Sequence, residues 1–282
     1  MIYDRSAQCL KEEHEHRQGL VKFLYETVPG RALLWISVRP WISKVYGAYQ
    51  KSRLSRRTIR PFAEKNGVVV SEEDLQKFRC FNDFFTRKKE ITPQSDDPHA
   101  LLAVADSKMT YYPITEGLKL QLKHCTYDLE DVLEDAQLAE TYRGGTCIVF
   151  RLCVDDYHRY HFLDDGKLVS VKKIKGQLHT VRPISEKYRV FARNSRQVSI
   201  LDTVHFGKVT QVEVGAVMVG KICNHKKETF SRMEEKGYFE FGGSTIVLLL
   251  PGKVQFDEDI VKMNDTGAEI QVHVGEKIGF IN

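Results

Sequence analysis

The 282-residue sequence contains no run of roughly 18 to 20 apolar residues, so no part of it is expected to cross a bilayer as a helix. Its six cysteines (Cys9, Cys80, Cys125, Cys147, Cys153 and Cys223) include no CxxC pair. Their scatter argues for reduced thiols rather than a disulfide framework or a zinc site. HExxH is absent, and with it the simplest zinc-hydrolase reading. A charged n-region, apolar core and small-residue cleavage site do not open the chain, so a secretory signal is not expected. Strict repeats and low-complexity segments are missing too. What remains, with 42% hydrophobic and 28% charged residues and a net charge of +4, is an ordinary globular composition of one or two domains.

One local absence is more telling. Between Arg31 and Arg60 there are eight basic residues and no acidic one. Both tryptophans, Trp35 and Trp41, fall in this stretch among leucine, isoleucine, valine and tyrosine. Apolar rings that enter a headgroup boundary while lysine and arginine meet anionic lipid make such a segment fit for a membrane surface. A core-packing helix with a solvated basic face has the same composition. No recognisable nucleic-acid module is present.

Residues 3 to about 60 read as helical, with breaks at Pro29-Gly30 and Pro40. Ser71-Glu72-Glu73-Asp74 is the opening of a short helix. The turn-rich stretch at 92–99 marks a boundary, giving a helical region over 1–95 and a second region over 96–282. There, short apolar or alternating runs appear at 100–105, 109–114, 146–154, 168–174, 187–192, 198–201, 208–214, 216–222, 245–250 and 269–274. This texture predicts a β-rich, sandwich- or barrel-like domain with one helix over 126–140, and an α+β fold overall.

Three places could carry chemistry. His158 and His161, in DDYHRYHF, are titratable groups among aromatics, able to act as a base near neutral pH or simply to be structural. Asp106, in VADSK, is a turn former or a group that orients a histidine. Ser244 follows Gly242-Gly243 inside a strand-like run. A nucleophile elbow would need glycine where Ile246 stands, and a helix rather than a strand after it. The hydroxyl could instead attack the carbonyl of Gly243, turning the peptide bond into an ester. Loss of the serine α-proton would then expel the ester carboxylate and leave a dehydroalanine, which hydrolyses to a pyruvoyl group and ammonia. A glycine bulge beside a solvent-facing serine is the plain alternative.

Five segments occur in order: FNDFFTRK (81–88), VADSK (104–108), DYHRYHFLDDG (156–166), VTQVEVGAVMVGKI (209–222) and KGYFEFGGSTIVLLLPGKV (236–254). Together they resemble the phosphatidylserine decarboxylase proenzymes. The resemblance implies self-cleavage between Gly243 and Ser244 into chains 1–243 and 244–282, with Ser244 becoming a covalent pyruvoyl cofactor. It implies a processing triad of Asp106, His161 and Ser244, with His158 handling a proton during decarboxylation. Phosphatidylserine would be converted to phosphatidylethanolamine and carbon dioxide, with no metal. A homodimer without nucleic-acid partners, bound peripherally at the cytoplasmic face of the cell membrane, is also implied. Gly242 stands where many members have leucine, and Ser107 where glycine is frequent; neither removes a reacting group. The rivals are a serine hydrolase using the same three residues without cleavage, a non-enzymatic membrane-binding β domain, and a pyruvoyl decarboxylase for another amine.

Overall fold

In a computed structural model the structure describes residues 1–12, 18–122, 125–179, 189–216, 221–242 and 244–281. The segment Ser244–Leu250 carries apolar residues at consecutive positions after its first two, the pattern of a strand covered on both faces, and every residue of it is buried. It pairs antiparallel with Lys208–Val214 on one side and Thr146–Leu152 on the other. These three strands are the middle of a ten-stranded sheet. Beyond Lys208–Val214 lie Arg196–Thr203, Gly166–Ile174 and Thr229–Phe230; beyond Thr146–Leu152 lie Ser107–Pro113, Glu269–Val272, Ile2–Asp4 and Cys9–Lys11. Among the described strand pairs of this sheet only that of Ile2–Asp4 with Glu269–Val272 is parallel.

Strand alternation divides the central residues between two cores. Ile246, Leu248 and Leu250 join a cluster with Phe150, Phe162 and Phe239. Val247 and Leu249 join another with Tyr127, Leu133 and Tyr142. Two three-stranded sheets contribute to the first core. One orders Ile222–Asn224, Glu235–Phe239 and Arg159–His161; the other orders Gln255–Phe256, Lys277–Phe280 and Ala100–Leu102. The helices Leu129–Leu133 and Ala136–Glu140 contribute to the second core. The architecture is mixed α+β around one large sheet.

Buried polar bonds tie the small sheet that carries the histidines to the large one. The Lys236 ammonium donates to Glu213 at 2.6 Å and to Ser199 at 2.9 Å. Asn224 donates to Glu213 at 2.9 Å and accepts from the Tyr160 hydroxyl at 2.7 Å. Because an unpaired charge there would be costly, the bonds hold Tyr160, and with it the strand Arg159–His161, in one register.

Ahead of the sheet run the helices Gln18–Glu26, Val28–Ser37, Pro40–Gln50, Ile59–Asn66, Glu72–Lys77 and Phe81–Phe85, with a 3-10 turn at Arg53–Thr58. Pro40 opens its helix, where a missing N–H costs nothing. Gly67, at φ 65°, ends the helix Ile59–Asn66, and Ser71 caps the next by accepting from the Asp74 amide. No described helix is long and apolar enough to cross a membrane.

Three local expectations are corrected. Within the stretch read as helical from residue 3, Ile2–Asp4 and Cys9–Lys11 are strands, because Ile2 and Tyr3 bury their side chains on the sheet's core. The helix expected over 126–140 is instead the end of a strand, Cys125–Asp128, followed by two helices broken at Glu134, which sits at φ 50°. Where a strand was expected at 187–192, Val190–Arg193 is a helical turn; 187 and 188 lie outside the described residues. The expected run at 216–222 is also partly outside them, with a strand at Ile222–Asn224.

Candidate active site

Ser244 is the first residue of the central strand and is fully buried; among the described residues its Oγ has no hydrogen-bond partner. A sealed, unpartnered hydroxyl is costly in a purely structural role, since burial strips its water and nothing replaces it. Gly243, the other half of the expected cleavage site, lies outside the described residues. Gly242 has φ 132°, a conformation open to glycine and strained for other residues, so the chain enters the strand through a turn that Gly242 permits.

His158 stands just before the strand Arg159–His161 and escapes strict alternation, so its ring is buried along with that of His161. The His158 ring packs against Phe85 with centroids 4.1 Å apart, and Phe85 packs on Phe241 at 5.0 Å. Its Nδ1 is 2.8 Å from the Asp156 carbonyl. A carbonyl only accepts, so Nδ1 carries the hydrogen and Nε2 keeps its lone pair. That Nε2 is buried and makes no hydrogen bond of good geometry among the described residues, while the Gly242 backbone lies close enough to the ring to favour its protonated form. Burial, reinforced by the nearby Arg87 charge and opposed by the Asp156 carbonyl, brings His158 down to about 4.

His161 donates its backbone N–H to Val104 at 2.9 Å, two residues before Asp106. Burial likewise lowers its ring to about 4, against the opposing pull of the Glu235 and Asp106 charges. Among the described residues Nδ1 of His161 has no hydrogen-bond partner. Both rings are therefore neutral at pH 7, the state from which a histidine can accept a proton.

Asp106 precedes the strand Ser107–Pro113 and is mostly buried. One carboxylate oxygen accepts from the Val274 amide at 2.8 Å and the other from the Lys89 ammonium at 2.7 Å. His273 Nδ1 is 3.9 Å from the second oxygen, a charge contact rather than a hydrogen bond. Burial works to raise Asp106, but His273, Lys89 and the Val274 amide outweigh it and hold the carboxyl at about 2. The fold thus places Asp106 in the electrostatic reach of His161, while its described bonds go to Lys89 and Val274 and none joins it to the imidazole.

Sequence reasoning missed several of these neighbours. Lys89 follows the FNDFFTRK segment directly, and His273 lies in a stretch remarkable only for its glycine-punctuated hairpin pattern. Phe85 and Phe241 belong to segments noted for their likeness to a family and were given no role. Both join an aromatic cluster with Phe62, Phe81 and Phe84, which seats the N-terminal helices beside Gly242. The donor atoms of Cys153, Asp155 and Asp156 fall within 4.8 Å of one another, but the Asp156 carboxylate is already engaged by Lys108 at 2.8 and 3.0 Å.

Residues 81–280, spanning every group above from Phe81 onward, match the family model described as phosphatidylserine decarboxylase. The chain is 44% identical to phosphatidylserine decarboxylase proenzyme 2 of Clostridium acetobutylicum, covering 100% of this chain and 98% of that one. It is 38% identical to the phosphatidylserine decarboxylase proenzyme of Ruminiclostridium cellulolyticum, over 99% and 96%. With the proenzyme of Desulfitobacterium hafniense the identity is 37%, over 98% and 97%. The chain belongs to the phosphatidylserine decarboxylase family.

Proposed function

We propose that this chain is a proenzyme that cuts itself between Gly243 and Ser244 and then decarboxylates phosphatidylserine to phosphatidylethanolamine. The observation that carries the reading is the Ser244 hydroxyl, sealed and without a partner among the described residues at the head of the central strand, two residues after Gly242, whose backbone lies beside the buried His158 ring. In processing, His161 accepts the hydroxyl proton as Oγ attacks the Gly243 carbonyl; the broken peptide bond returns a hydrogen to the Ser244 nitrogen. Asp106, fixed as an anion, favours the imidazolium that forms. The fit to a pyruvoyl group rests on that same orphaned hydroxyl, since converting Ser244 removes the group that burial leaves unsatisfied. Once formed, the pyruvoyl supplies an electron-accepting carbonyl that lets the bond to the substrate carboxylate break. Nε2 of His158 would take a proton from the substrate ammonium and return it to the reacting carbon after carbon dioxide leaves.

Cleavage need not separate the two chains. Ser244–Leu250 is hydrogen-bonded on both edges within the sheet, so the 244–282 chain stays as an integral strand. The intact mass of the purified protein under denaturing conditions tests the reading. Two fragments are expected, the smaller one lighter than a serine-started peptide by the exchange of an amine for a ketone. A single mass of about 32.5 kDa together with no phosphatidylethanolamine formed would overturn it.

The same reading places the enzyme peripherally on the cytoplasmic face of the cell membrane, working as a homodimer. Support for the membrane contact comes from the helices Val28–Ser37 and Pro40–Gln50. Their Trp35 and Trp41 are 63% and 58% exposed, beside exposed Leu33 and Val45 and the cations Arg31, Arg39 and Lys44. This surface is linked to the site, since Lys51 pairs with Glu240 at 2.7 Å and Tyr46 packs on Phe241 at 5.6 Å. A Trp35→Ser/Trp41→Ser double variant is expected to bind vesicles containing anionic lipid at least about tenfold more weakly. It should retain turnover of detergent-dispersed substrate; unchanged flotation with vesicles would exclude this surface.

A further inference from the structure

Arg87 belongs to the FNDFFTRK segment but has no part in the chemistry above. It follows the short helix Phe81–Phe85, and its backbone is pinned. Arg159, the residue next to His158, donates to the Thr86 carbonyl at 2.8 and 2.5 Å and to the Arg87 carbonyl at 3.3 Å, and its guanidinium is itself held by Glu235 at 2.6 Å. The Arg87 backbone is thereby locked to the strand that carries the two histidines.

The Arg87 side chain makes one described hydrogen bond, from Nη1 to the Phe84 carbonyl at 3.2 Å, and lies over the Phe84 ring at 5.0 Å. Among the described residues no carboxylate pairs with it, so most of its five N–H donors are uncommitted. Its nitrogens are not among the sealed, unpartnered atoms, so they remain open to a ligand. Neighbouring cations differ: Lys89 is engaged by Asp106 and Arg159 by Glu235. Burial lowers the basicity of the Arg87 guanidinium, and its charge in turn depresses that of His158, so it lies within electrostatic reach of the site. Asp106 acts on it only at a distance, so a partly desolvated cation with no described carboxylate in direct contact gains when an anion arrives.

We propose that Arg87 is the substrate-binding residue that takes the phosphodiester of the phosphatidylserine headgroup beside His158. The headgroup carries two anions, and the chemistry chooses between them. A salt bridge to the carboxylate would be strongest in the ground state and would vanish as carbon dioxide leaves, raising the barrier. The phosphodiester keeps its charge throughout, so a planar guanidinium can grip it with two parallel N–H bonds at no cost to the reaction. Such binding is equal in ground and transition states and appears mainly in KM.

The inference rests on Ser244 and His158 being the reacting centre, and the test separates the two. Arg87→Gln, assayed on detergent-dispersed phosphatidylserine, is expected to raise KM by about tenfold or more with kcat changed less than about threefold. Arg87→Lys should recover part of the loss, because it restores charge without the paired donors. Glycerophosphoglycerol, which offers a phosphodiester but neither amine nor carboxylate, should inhibit the wild type competitively and the Gln variant at least about tenfold more weakly. Thermal unfolding of each variant checks the fold, and if Arg87→Gln fails to fold, Arg87→Lys carries the comparison. An unchanged KM, or a loss confined to kcat with inhibition intact, overturns the phosphodiester assignment alone. Processing that survives Ser244→Ala overturns the reacting centre itself.

Discussion

Ser244→Ala is expected to leave the chain uncut at about 32.5 kDa and to abolish phosphatidylethanolamine formation, the largest effect of any single substitution. Both losses have one origin. Without Oγ there is no nucleophile for the Gly243 carbonyl, and without cleavage there is no carbonyl to accept electrons. The variant should nevertheless fold at least as well as the uncut chain that carries Ser244. Its missing oxygen has no hydrogen bond to lose, and replacing an unsatisfied buried hydroxyl by a methyl removes a desolvation penalty of about 1–3 kcal/mol. Denaturing mass spectrometry and a thermal melt on one preparation read both halves. A cut chain would sink the serine's role, and a collapsed melting temperature would mean that the loss of activity says nothing about chemistry.

The second large effect separates the two histidines. His161→Ala should stay uncut, since the base for the serine is gone. His158→Ala should be cut yet decarboxylate about a hundredfold or more slowly, the usual contribution of a positioned acid–base group. Identical behaviour of the two variants would refute the division of roles. The pH profile adds a second readout. Each ring is held at about 4, so the base form of His161 stays populated from pH 8 down to 6, and maturation should be flat over that range. It should then decline as pH falls toward 4.

Stability changes in the same direction. The folded-state values of His158 and His161 lie below the ordinary 6.5. The unfolded chain therefore takes up protons first as pH falls. Stability is complete above about 6.5 and declines as pH drops toward 4, by up to roughly 3 kcal/mol per ring. Asp106 has the same sign lower down: its contribution is present above the ordinary carboxylate value and is lost as pH falls toward about 2. Near-UV circular dichroism recorded alongside the cleavage assay distinguishes a protonated base from an unfolded protein.

The contrast between Ser71 and Glu134 shows where local pattern is enough. Ser71 with Asp74 three residues on is a helix start that needs nothing distant, and the helix Glu72–Lys77 begins where the sequence places it. Across 129–140 the residues favour helix, yet two short helices pack Leu129, Val132 and Leu138 into one core only if the chain turns at Glu134. At the amino terminus, Ile2 and Tyr3 are strands because an open sheet edge and an apolar cluster lie beside them, both made by residues far along the chain.

The site divides in the same way. By itself the sequence offered the candidate reacting groups: a serine after two glycines at the head of an apolar strand, two histidines three residues apart, and an aspartate after an apolar run. Those features are local, set by residue type and spacing. Tertiary structure alone decided what each group meets. Asp106 finds Lys89 and the Val274 amide, 17 and 168 residues away, and His158 lies between Phe85 and the Gly242 backbone. It also left Arg87 within electrostatic reach of His158 and, among the described residues, in direct contact with no carboxylate. Such contacts are products of strand pairing and core burial across the whole chain, so charge state, basicity and partner of each group emerge only when distant segments close around it.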